Sequence, residues 1–122
     1  MKSLNGTKKA IIIFQYVERI KSELIIGSKL LEELQNMEES DCVGAERVLL
    51  FYLDMVRAEI EIAQQVSGLP KFADVQASVD LAFRSVKSHE YLEAIKHISQ
   101  AISLATTSRQ DSAQQLHDKG LI

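Results

Sequence analysis

Residues 13–34 read IFQYVERIKSELIIGSKLLEEL, and the spacing of the apolar residues in this stretch decides the fold. Ile13, Val17, Ile20, Leu24, Gly27, Leu31 and Leu34 step by alternating fours and threes. That is the period of a helix burying one stripe, whereas a half-buried strand alternates by twos. The spacing predicts a helix that starts near Asn5 or Thr7, either of which can cap it, and runs to Gln35 or Met37. Gly27 inside it costs roughly 1 kcal/mol against Ala, which a close helix crossing there would offset.

Working outward, the same period recurs. The link Met37-Glu38-Glu39-Ser40-Asp41 is acidic, which suits a helix start, so Ser40 or Asp41 is expected to cap a second helix over Val43 to Ser67. Its seam is Leu49, Leu53, Val56, Ile60 and Ala63. Gly68 can turn left-handed past its end, and Pro70 blocks continuation. A third helix is expected from Lys71 or Phe72 to Lys87, with Phe72, Val75, Val79, Ala82, Phe83 and Val86 inward. A fourth is expected from Glu90 to Thr106, with Leu92, Ile95, Ile98, Ile102 and Ala105 inward. The polar tail 107–122 extends helix 4, frays, or forms a fifth C-terminal helix around Asp111 to Lys119. The expected fold is all-α, a single domain over residues 1–122. It is an antiparallel four-helix bundle in which a long hairpin, helices 1 and 2, packs with a shorter one, helices 3 and 4.

Composition agrees. The chain has 122 residues, 46% apolar and 25% charged, enough to bury a core without disulfides. Its net charge of −3 argues against a general nucleic-acid binder. The lone cysteine, Cys42, excludes an internal disulfide, and its acidic neighbours Glu39 and Asp41 disfavour a reactive thiolate. The apolar run Ala10 to Phe14 is broken by Gln15, Glu18 and Arg19, too early for a membrane span or signal core. The reading is a soluble, cytoplasmic protein with no membrane partner.

Helices 1 and 2 would span roughly 40 Å and helices 3 and 4 roughly 25 Å, so part of the long hairpin should lie uncovered. That hairpin carries apolar residues off its seams, among them Ile12, Ile25, Ile26 and Leu30 on helix 1 and Val48, Phe51 and Tyr52 on helix 2. Apolar residues on more than one face imply burial on more than one face. These seven are the candidate partner interface, for a homo-oligomer or another helical protein.

Two short patterns suggest other roles. Ala77, Leu81 and Ala82, then Tyr91, Glu93, Ala94, Ile95, Ala101, Ile102 and Leu104, resemble a single tetratricopeptide-type hairpin, which implies protein–protein binding. Only one copy is present, no glycine precedes Tyr91, and no proline closes the repeat. Arg84 and His89 form Arg-x-x-x-x-His, which resembles the short motif of HEPN domains, many of them ribonucleases. That resemblance implies an imidazole acid–base at His89 and a guanidinium at Arg84 holding a scissile phosphate. Ser85 follows the arginine where the family often has Asn or Asp. No Glu-x-x-His metal motif, Gly-rich phosphate loop or nucleophile elbow is present, so no metal or cofactor is expected. The leading expectation is a non-enzymatic helical interaction or scaffold protein acting through self-association or partner-helix binding. The alternatives are a HEPN-like RNA-cleaving or RNA-binding bundle and an immunity- or antitoxin-type sequestering bundle.

Overall fold

A computed structural model describes residues 6–122, and its helices follow the apolar spacing closely. They are α1 (Gly6–Asn36), α2 (Glu39–Ser67), α3 (Pro70–Lys87) and α4 (Tyr91–Asp118). Each packs on its neighbours in a closed square: α1 on α2, α2 on α3, α3 on α4, and α4 back on α1. Across the diagonals no Cα atoms come within 8 Å among the described residues. The protein is therefore an up-down-up-down four-helix bundle.

Every seam residue expected on α1 and α2 is buried, Gly27 included. A Cβ at Gly27 would stand 3.4 Å from Tyr52 Cε1 and 3.7 Å from Leu53 Cδ2, so side chains of α2 pack over this position. Thr7 lies inside α1, and the expected cap Asn5 falls outside the described residues. Helix α2 starts earlier than expected, with Glu38 as N-cap in place of Ser40 or Asp41. Glu39 and Asp41 occupy its first turn, where carboxylates oppose the positive end of the helix dipole.

Two expectations about the second hairpin need correction. Of the three readings of the tail, extension of helix 4 holds: α4 runs unbroken to Asp118 and lies along α1, so the second hairpin is not uniformly short. The short helix is α3 alone. The inward face of α4 is turned from the expected one: Ile98 and Ala105 are buried as expected, while Ile95 and Ile102 are half-buried at its edges. Leu92 is 62% exposed, and the seam is Ala94, Ile98, Ala101, Ala105, Ser108, Ser112 and Leu116. Those residues again step by fours and threes, but most are small, so α4 sits close against its neighbours. The Ser108 and Ser67 hydroxyls donate to the carbonyls of Leu104 and Ala63 at 3.0 and 2.6 Å, which removes the penalty for burying them.

Charged straps tie the flanks. Arg109 pairs with Glu18 and covers the Phe14 ring at 5.5 Å, joining α4 to α1. Arg57 stands 2.8 Å from Asp80 and 4.4 Å from the Phe83 ring centroid, joining α2 to α3. Three residues past helix ends have positive φ: Gly68 at 65°, Gly120 at 71° and His89 at 61°. Two are glycines, as this left-handed position favours. His89 takes the same place after α3, where its N–H donates to Val86 and the N–H of Glu90 to Ser85.

Candidate functional site

The largest unexplained feature is the outer face of α1 and α2. Along α2, Val48, Phe51, Met55, Ala58 and Ile62 step by threes and fours and are all exposed, Val48 at 70% and Phe51 at 69%. Val66 continues the line. This second seam lies across the helix from the buried one. Ile26 and Leu30 of α1 stand next to it, because antiparallel packing sets Leu30 level with Val48. Seven of these side chains, each between 42 and 70% exposed, present roughly 800 Å² of accessible surface, one partner's share of a standard interface. A monomer's largest apolar patch is usually about 300–600 Å². A depression of about 470 Å³ between α2 and α3 opens beside Phe51, lined also by Arg47, Leu50, Asp54 and Phe83.

Of the seven expected interface residues, Ile26, Leu30, Val48 and Phe51 lie on this face. Ile12 is half-buried at its far end. Ile25 is exposed on another flank, since it continues the stripe of Phe14 and Glu18 that meets α4. Tyr52 is half-buried between the two helices, its hydroxyl donating to the Glu23 carbonyl at 2.6 Å, so it builds the floor of the face. Met55, Ala58, Ile62 and Val66 escaped the sequence reading, although they continue Val48 and Phe51 at helical spacing.

A charged cluster is set into the middle of the face. Arg19 of α1 pairs with Glu59 of α2 at 2.7 Å. Glu23 lies beside them, with Oε2 out of solvent. Burial, then the hydrogen bond and like charge of Glu59, push the Glu23 carboxyl up to about 7, with Arg19 pulling against them. The Tyr52 phenol is raised by burial and by the same two carboxylates.

A second site lies at the end of the bundle. Because α3 is shorter than α2, the first turns of α2 run past it, and a cleft of about 420 Å³ opens there. It is lined by Glu39, Cys42, Val43, Glu46, His89 and Tyr91. Glu46 is its hub, 2.8 Å from His89 Nδ1 and accepting the Tyr91 hydroxyl. Burial and the Glu46 carboxylate raise the Tyr91 phenol well above its usual range. The Cys42 thiol lies 3.8 Å from the carbonyls of Leu34 and Met37.

Arg84 and His89, the pair from the Arg-x-x-x-x-His pattern, have separate partners. Arg84 is exposed on α3 with Nε 3.5 Å from the Asp80 carbonyl, while His89 is engaged by Glu46 of α2. Tyr91 opens α4 at the turn as the tetratricopeptide-like pattern suggests, but its hydroxyl reaches across to α2. The hairpin it opens is closed into the bundle by α1 and α2. Among the described residues no group of His, Cys, Asp and Glu side chains could hold a metal ion, and no helix is long and apolar enough to cross a membrane. No protein family, curated protein or solved structure matches this chain.

Proposed function

We propose that this chain is a non-enzymatic helical interaction protein that self-associates through the outer face of α1 and α2. The observation that carries the reading is the second, exposed apolar seam on α2, running from Val48 to Val66 and flanked by Ile26 and Leu30. Burying a seam of that spacing against another helix is what helical association uses. The inner seams already fill the bundle, and the outer one is left largely uncovered by the single chain. Sedimentation velocity across micromolar concentrations tests it. A dimer or larger species is expected, with Ile26→Asp and Phe51→Asp giving monomers of unchanged helical circular dichroism. A wild-type monomer throughout would overturn the reading. Ribonuclease action would instead have to rest on Arg84 and His89, and would require RNA cleavage that His89→Ala abolishes.

A further inference from the structure

The cluster in the middle of the apolar face says how two copies would meet. Resting on the self-association proposed above, we infer that the face binds a second copy of this chain, antiparallel about a two-fold axis crossing the helices near Lys21 and Arg57. In that arrangement Arg19 of each copy meets the partner's Glu23.

The levels come from contacts within one chain. Arg19 pairs with Glu59, so two residues on along α1 and two back along α2 set Lys21 level with Arg57. That level is also the middle of the apolar face, which runs from Val48 to Val66 on α2 and from Ile12 to Leu30 on α1. Turning the face over about this level and laying it on itself matches α1 with α1 and α2 with α2.

On α1 the residues equally distant from Lys21 are Arg19 with Glu23, Tyr16 with Ile26, and Ile12 with Leu30. On α2, Val48 falls opposite Val66, Phe51 within a residue of Ile62, and Met55 opposite Glu59 and one residue from Ala58. Apolar therefore meets apolar in the outer layers, and Met55 lies over Ala58 beside the Glu59 that Arg19 holds. Each arginine meets a carboxylate. A charged residue inside an apolar interface is costly unless paired, so the charges fix which of the self-packings is allowed.

Within one chain two neighbouring carboxylates, Glu23 and Glu59, have a single guanidinium beside them, so a second one would offset their like charge. Arg19 is 63% exposed, with donors free to reach outward while it holds Glu59. The rival two-fold, parallel to the helices, packs α1 on the partner's α2. It would lay Glu23 against the partner's Met55 and leave its carboxylate unpaired. The area also suffices, since roughly 800 Å² per copy is what a standard stable interface buries.

A charge-swap experiment on the full chain tests the arrangement. Arg19→Glu and Glu23→Arg, each alone, place like charges opposite each other twice, and each should weaken self-association at least tenfold by sedimentation equilibrium. Mixed in equal amounts, the two variants set opposite charges against each other again at both contacts, and should restore a heterodimer near wild-type affinity. Restoration also shows that both variants fold. A wild-type dimer whose mixed variants stay apart would overturn this arrangement and leave the self-association reading standing. A wild-type monomer would overturn both. An unchanged dimer in Arg19→Glu would overturn the arrangement as well.

Discussion

Replacing Glu23 by Gln should stabilise the single chain above neutral pH and leave it unchanged in acid. The native carboxyl titrates at about 7 against 4.5 for the free group. Between those values the folded state holds a proton that the unfolded chain has released. Stability therefore falls as pH rises through this window, and the loss is complete above it. At about 1.4 kcal/mol per pH unit the full shift would amount to roughly 3 kcal/mol. Glu23 is only half-buried, so solvent screening cuts that to about 1 kcal/mol. Gln keeps the shape, stays neutral beside Glu59 and removes the titration. At pH 8 it should gain about 1 kcal/mol, or about 4 °C in Tm for a domain of this size. At pH 4 the two proteins should melt together. The assay is urea and thermal denaturation from pH 4 to 8 in a Phe51→Asp background, so that only the single chain is read. A difference that does not vary with pH, or a Gln variant less stable at pH 8, would refute the assignment of burial and Glu59 as the cause.

The other predictions concern the ends and the open positions of the helices. Gly44→Ala should stabilise by about 1 kcal/mol in urea titrations, since nothing lies within 4 Å of the added Cβ and the helix gains propensity. Tyr91→Phe should cost about 1–2 kcal/mol, the value of a hydrogen bond to a carboxylate in a half-buried setting, and should loosen amide protection at the start of α4. His89→Gly should stabilise by about 0.5 kcal/mol in the same urea titrations: relief of the left-handed backbone gains about 1 kcal/mol, and the lost pairing of a 71% exposed side chain with Glu46 takes back part of it.

Helices, seams and turns on α1 and α2 were legible because their buried positions carry the largest apolar residues, so pattern and packing agree. On α4 they disagree. Ile95, Ile102 and Leu92 are larger than Ala94 and Ala101, yet the two alanines are the more deeply buried. A seam chosen by size misses a helix packed by close approach, where what counts is how near the backbones come. The same signal hid the tail: Ser108 and Ser112 look polar, but they continue the small-residue seam and carry the helix to Asp118. The cleft around Glu46 was not legible, because Glu46 and His89 are far apart in sequence and meet only because α3 stops short of the start of α2.

The outer apolar face was half legible, and for a reason that needed revision. Unequal hairpins were expected to leave part of the long one uncovered. With α4 as long as α1, length no longer explains the excess of apolar residues. What remains is geometry: a square of four helices gives each helix two neighbours, and α2 already has both, α1 and α3. A second seam on its far side, from Val48 to Val66, cannot be covered by any other helix of this bundle. The charges inside that face then restrict what could cover it. An apolar helix would bury Glu23 beside Glu59 with one arginine between them. A second copy would bring a second Arg19 to this pair of carboxylates, and offer its own Glu23 in return.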